Sequence, residues 1–116
     1  MITLNDLYQK ELQRVQQMGG VEPLIEMAQR GPYALAMLFR GGAFGDGDAE
    51  RQKAIGIFEK MIEEGHPPVL QSKFELGILY CLGEIDGNTW AWEPEKGEKL
   101  LEEFLDALDA GSVDAT

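Results

Sequence analysis

Leu76-Gly77-x-x-Tyr80-x-x-Gly83, followed by Lys99 through Gly111, repeats an earlier stretch of the same chain: Leu35-Ala36-x-x-Phe39-x-x-Gly42, then Lys53 through Gly65. A pattern used twice narrows the choice of fold to architectures that stack one supersecondary unit, because a single copy cannot bury its own apolar face. The first halves align at an offset of 41, Leu35, Phe39 and Gly42 falling on Leu76, Tyr80 and Gly83. The second halves align at 46, Ile55, Phe58, Ile62 and Gly65 falling on Leu101, Phe104, Leu108 and Gly111. The difference of five residues predicts an insertion in the loop around Glu84 to Glu93. A weaker echo lies upstream, where Leu24, Met27, Ala28 and Gly31 match Phe58, Met61, Ile62 and Gly65 at an offset of 34.

Six helices account for the pattern. Leu4, Leu7, Tyr8, Leu12 and Val15 recur at helical spacing, with Thr3 as N-cap and Gly19-Gly20 as the stop. The second helix starts at Pro23, a residue suited to a first turn, and ends before Gly31. Pro32 begins the third, whose Leu35, Ala36, Leu38 and Phe39 predict burial on most sides. The fourth runs from Asp48 as N-cap to Glu64, burying Ala54, Ile55, Phe58, Met61 and Ile62, and Gly65 ends it in a left-handed conformation. The fifth follows Pro67-Pro68 and carries Phe74, Leu76, Gly77, Ile78 and Tyr80. The sixth opens at Pro94 and is expected to bury Leu100, Leu101, Phe104, Leu105 and Leu108, while no stretch reads as a convincing strand. Gly77, inside a helix where glycine costs about 1 kcal/mol against alanine, predicts close approach of a partner helix. Phe58 and Phe104 are the expected anchors of the two units.

The 116 residues suffice for one domain with a core that needs neither disulfides nor metals. The first residues, Met1-Ile2-Thr3-Leu4-Asn5-Asp6, lack the blocks of a signal peptide, and no apolar run approaches membrane-spanning length. One cysteine, Cys81, offers no internal disulfide. A soluble, cytoplasmic protein without a membrane partner is the expectation. The net charge of −11 is unevenly placed. Residues 1–41 balance four acids against four bases, so the imbalance lies in residues 42–116, where seventeen acids face six bases. That sign opposes binding to nucleic acid, which needs cationic groups at the phosphates. An acidic surface steers basic proteins toward itself, or it serves only to keep a small helical protein soluble.

The stretch Lys53-Ala54-Ile55-Gly56-Ile57-Phe58-Glu59-Lys60-Met61-Ile62-Glu63-Glu64-Gly65-His66 resembles the second helix of the Sel-one-like repeats, relatives of the tetratricopeptide repeats. That family typically shows a Lys-Ala pair, an aromatic, a second Lys, a Glu and a closing Gly-His. Its first helix resembles Leu76-Gly77-x-x-Tyr80-x-x-Gly83. The likeness covers residues 33–111, about two units, with departures: Ala36 stands for glycine, Leu100 for alanine, and the second unit has the longer loop. The resemblance implies an all-α fold, a short α-solenoid of three antiparallel helical hairpins. In it residues 1–31 form a degenerate or capping hairpin, 32–66 and 67–111 the two units, and 112–116 a tail. It also implies protein–protein interaction without catalysis, often in bacterial adaptors and regulators.

No enzyme constellation emerges. His66, the only histidine, lacks the second ligand or adjacent nucleophile that metal binding or catalysis needs, and reads as a capping or packing residue. Gly41, Gly42, Gly45 and Gly47 match neither phosphate-loop spacing, and Asp46, Asp48 and Glu50 lack the full oxygen pattern of a calcium loop. Glu98, Glu102, Glu103, Asp106 and Asp109 read as a solvated helix face. We therefore expect no catalytic residue, no metal and no cofactor.

Two surfaces are candidates for a partner. Trp90-Ala91-Trp92 sits in the inserted loop, where aromatic residues either anchor a partner or staple the start of the sixth helix. Tyr33 and Arg40 on the third helix, with Glu75 on the fifth, lie on the first helices of hairpins, which line the concave face in stacked repeats, and Tyr33 equally suits the core. The function expected is that of a small acidic inhibitor or immunity-type protein covering a basic toxin or enzyme. A general adaptor or scaffold is the rival, and a metal-dependent sensor or enzyme the reading from another class. Self-association through an uncovered end hairpin is a further expectation.

Overall fold

The computed structural model describes residues 2–17, 22–44, 48–81, 84–85, 88–89 and 93–109. Within them the chain is all-α, with six helices: α1 (Leu4–Gln17), α2 (Glu22–Ala28), α3 (Pro32–Arg40), α4 (Asp48–Glu64), α5 (Val69–Cys81) and α6 (Pro94–Asp109). Between α5 and α6, β1 (Glu84–Ile85) and β2 (Asn88–Thr89) pair antiparallel, Glu84 opposite Thr89 and Ile85 opposite Asn88. Two-residue strands are too short for an alternating pattern to reveal them. They occupy the inserted loop, which closes where the Glu93 amide donates to the Tyr80 carbonyl at 3.1 Å.

Local chemistry explains the helix ends. The Asp6 amide donates to Thr3 Oγ1 at 3.1 Å and the Thr3 amide donates back to Asp6 Oδ2 at 3.3 Å, a reciprocal box that starts α1. At the end of α4, Gly65 takes φ 69°. The His66 amide reaches the Met61 carbonyl at 2.9 Å and the Gly65 amide reaches that of Ile62 at 3.2 Å. The same pair of bonds ends α3, from Ala43 to Leu38 and from Gly42 to Phe39, with Gly42 at φ 77°. Both are Schellman ends, in which a residue without a β-carbon enters the left-handed region at little strain. Gly31 does otherwise: at φ 149° it is the N-cap of α3 rather than a left-handed end of α2. Its sequence match to Gly65 therefore does not carry a structural match.

The chain forms two compact units, 1–60 and 61–116, and the division falls inside α4. In the first, α1, α2 and α3 pack on one another. Leu4, Tyr8, Leu12 and Val15 of α1, Ala28 of α2, Leu35, Ala36, Leu38 and Phe39 of α3, and Ala54, Ile55, Ile57 and Phe58 of α4 are buried. Tyr33 meets Phe58 edge-on at 5.9 Å. The Tyr8 hydroxyl donates to the Ala28 carbonyl at 2.7 Å, tying α1 to α2 through a buried bond. Glu11, a carboxylate only 5% exposed, accepts from Arg14 Nε at 2.9 Å, and Arg14 Nη2 donates to Glu50 at the same distance. The guanidinium also lies 5.5 Å from the centre of the Phe39 ring.

In the second unit α5 and α6 form a closely packed pair. Leu76, Gly77, Leu79 and Tyr80 are buried on α5, and Gly97 is the buried residue of α6. Ser72, also buried, donates to the Pro68 carbonyl at 2.6 Å and lies 3.8 Å from the Met61 sulfur. The Pro67–Pro68 peptide is cis.

One expectation about α6 fails. Leu105 and Leu108 are exposed, at 56% and 39%, and Leu100, Leu101 and Phe104 are only half-buried. The cause is the number of neighbours. Among the described residues α6 packs mainly against α5, and one neighbouring helix covers one stripe of side chains, not the broad apolar face the sequence supplies. Phe104 consequently differs from Phe58: it leans against Phe74 at 5.0 Å while Phe58 is wholly enclosed.

Candidate functional site

The candidate residues read from sequence are divided between the units, Tyr33 and Arg40 in the first and Glu75 in the second. Tyr33 is half-buried and spends its ring on Phe58, so it belongs to the packing of its unit. Arg40 and Glu75 are half-buried as well, each with a polar side-chain atom shielded from solvent, and neither projects as a free surface group. Trp90 and Trp92 lie outside the described residues. Of the carboxylates considered for calcium, Asp46 lies outside the described residues and Glu50 is engaged by Arg14. His66 is exposed, its Nδ1 2.8 Å from the Pro67 carbonyl oxygen. Among the described residues no three of the metal-ligating types are grouped to hold an ion.

The structure instead exposes a mixed apolar and acidic face in the second unit. It begins with the crossing of α5 and α6, which sets the orientation of α6. A β-carbon on Gly97 would stand 2.6 Å from the Gly77 carbonyl oxygen and 2.7 Å from Cys81 Sγ. One on Gly77 would stand 2.9 Å from Leu101 Cγ and 3.0 Å from the Gly97 carbonyl. The two backbones touch there, so the stripe of α6 holding Gly97, Leu101 and Phe104 faces α5. Lys96 on the same helix sits 4.7 Å from the centre of the Tyr80 ring, and Lys73 of α5 reaches Glu103 at 3.7 Å.

Exposure then shows which side chains α5 leaves uncovered. Leu105 and Leu108, three apart, are surface neighbours, and Leu108 is one turn beyond Phe104, which touches the 37% exposed Phe74. These side chains form a path of uncovered apolar surface along the C-terminal half of α6. Glu102, Asp106 and Asp109 make a second row, displaced around the helix from Leu101, Leu105 and Leu108 by a single residue, and all three acids are exposed.

The electrostatics of that half-helix are unfavourable as they stand. Residues 102–109 carry four carboxylates and no base, the bases of α6 being Lys96 and Lys99 in its first turns. Carboxylates near a helix C-terminus oppose the macrodipole, and like charges three or four apart repel. At exposed positions each such effect is about a few tenths of a kcal/mol. Their sum leaves a face that gains from any cation brought to it. Sequence periodicity placed these leucines on the apolar side of α6. What it does not carry is how many neighbours the helix has.

Comparisons with protein-family models, with curated proteins and with solved structures find nothing that matches this chain. No helix among the described residues is long and apolar enough to cross a membrane.

Proposed function

We propose that this chain is a non-enzymatic protein-binding module, and most specifically a small acidic inhibitor or immunity-type protein that covers a basic toxin or enzyme. The observation that carries the reading is the C-terminal half of α6, where exposed Leu105 and Leu108 run beside exposed Glu102, Asp106 and Asp109. Apolar side chains next to a row of one charge sign suit a contact in which the acids draw the partner in and the leucines hold it. The net charge of −11, carried by residues 42–116, adds to the same field and raises the encounter rate with a cationic protein. The hairpin repeats supply a scaffold, which we read as a short α-solenoid of the kind the Sel-one-like repeats build.

Affinity purification from the source cell at low salt, followed by association kinetics on the recovered protein, tests this. A basic protein should co-elute, and its association rate should fall steeply with added salt over the range in which the Debye length shrinks from about 30 Å to about 8 Å. A partner whose association rate ignores salt points to a general adaptor or scaffold with an apolar contact. Turnover of a substrate or a metal-dependent rise in melting temperature overturns the reading.

A further inference from the structure

We infer that the occupant of the α6 face is a basic amphipathic helix of the partner, laid along residues 102–109 with its apolar stripe on Leu105 and Leu108 and its Lys and Arg side chains on Glu102, Asp106 and Asp109. The inference rests on the protein-binding reading and adds the surface and the chemistry of what it takes.

Three features select that occupant. The apolar path and the acidic row run side by side along one helix over two turns, so a ligand must match both along a parallel axis. An amphipathic helix does this with apolar residues spaced i, i+3, i+4 and i+7 and bases along one edge of the stripe. Among the described residues Leu105 and Leu108 stand uncovered, and a further helix packs ridge into groove on such a surface. Charge decides between a foreign helix and a second copy of this chain. A twofold pairing through this face sets its carboxylate row against itself, with no base in residues 102–109 to offset the repulsion. A cationic helix meets the same row as counter-ion and relieves both the mutual repulsion of the acids and their conflict with the helix dipole.

The test uses the full chain, isotope-labelled, titrated with a synthetic peptide of about 18 Leu and Lys residues arranged to form one apolar face. The control peptide has the same composition scrambled so that no face forms. At about 0.15 M salt the amphipathic peptide should bind one to one and at least about tenfold more tightly than the scrambled one. Amide shifts should concentrate in α6 from Glu102 to Asp109 and in the part of α5 around Phe74. Leu105→Glu should weaken binding about tenfold with an unchanged melting temperature, since Leu105 is exposed, and Glu102→Lys with Asp106→Lys should do the same. Equal binding of the scrambled peptide, shifts confined to other helices, or indifference to Leu105→Glu overturns the inference. So does a dimer in light scattering that Leu105→Glu dissolves, or tighter peptide binding by a chain ending at Asp109, which assigns the face to the chain's own last residues. A natural partner whose association ignores Leu105→Glu overturns this surface and leaves the protein-binding reading standing. Failure to recover any partner counts against that reading and leaves the peptide result as it is.

Discussion

The Gly97 α-carbon faces the Gly77 carbonyl so closely that a methyl group placed on Gly97 would lie 2.6 Å from that oxygen, nearer than real side chains come to backbone. Its other close neighbours are Cys81 Sγ at 2.7 Å and the Cys81 amide nitrogen at 3.0 Å. Two of these three atoms are backbone, which yields only if the helices move apart. Gly97→Ala should therefore destabilise the protein by about 2–3 kcal/mol or more, although alanine is the better helix former by about 1 kcal/mol. Gly77→Ala should lose less, because its closest neighbour is the Leu101 side chain, which has some freedom to turn. Gly56→Ala is the control: its nearest neighbour, Leu7 Cδ2, is at an ordinary 4.0 Å, so propensity wins and stability is unchanged or rises. Thermal melts that fail to rank Gly97→Ala below Gly77→Ala and Gly56→Ala would refute the close crossing.

Phe58 and Phe104 hold equivalent places in the repeat but unequal places in the structure. Phe58 is wholly buried, edge-on to Tyr33, so Phe58→Ala should remove about 3–5 kcal/mol. Phe104 is half-buried against a partly exposed Phe74, and Phe104→Ala should lose about half as much. Denaturant unfolding of the two variants reads the difference directly, and equal losses would mean that α6 is covered in solution by something beyond α5.

This inequality marks where sequence stops informing structure. Pro23, Pro32 and Pro94 at helix starts, and Gly42 and Gly65 at helix ends, act through bonds within a few residues, so helix limits are legible from local chemistry. Gly77 is legible too, since a glycine in mid-helix needs a tertiary reason, and the Gly97 backbone supplies it. Gly97 itself sends no such signal, lying in the first turn of α6, where glycine is unremarkable. Leu105 and Leu108 share the apolar side of their helix with Leu101, and periodicity cannot tell a residue facing a neighbour from one facing solvent. The same holds for Tyr33, whose position in the sequence suits surface and core alike and whose ring the structure sets against Phe58. The α6 face we propose was not legible, because its acids read as a solvated helix face and its leucines as core.

The Glu11–Arg14–Glu50 network makes a prediction of its own. Glu11 is nearly sealed from water, and its charge is acceptable there because Arg14 donates to it at 2.9 Å. Burial disfavours the Arg14 charge, but hydrogen bonds to Glu11 and Glu50 outweigh this and hold its pKa above the usual value. Arg14→Met keeps an unbranched apolar side chain of similar reach and strands a buried carboxylate, so it should lose about 3 kcal/mol. Adding Glu11→Leu removes the stranded charge and should restore most of that stability, a coupling visible in a double-mutant cycle. Additive losses for the two substitutions would dismiss the network as a surface ion pair.

Tyr8 ties the same unit to pH. Burial pushes its phenol up from the ordinary value near 10, because removal from water penalises the charged phenolate. The pKa is higher in the folded chain than in the unfolded one, so the unfolded state releases its proton first as pH rises. The stabilisation is therefore complete below about pH 10 and is lost as pH climbs through the folded value. Tyr8→Phe should lose about 1 kcal/mol near neutral pH, the net value of the hydrogen bond together with an unpaired Ala28 carbonyl. It should also flatten the alkaline decline of the melting temperature. An alkaline limb equally steep in Tyr8→Phe would place the titrating group elsewhere, and a neutral-pH loss near zero would mean that water satisfies the Ala28 carbonyl once the hydroxyl is gone.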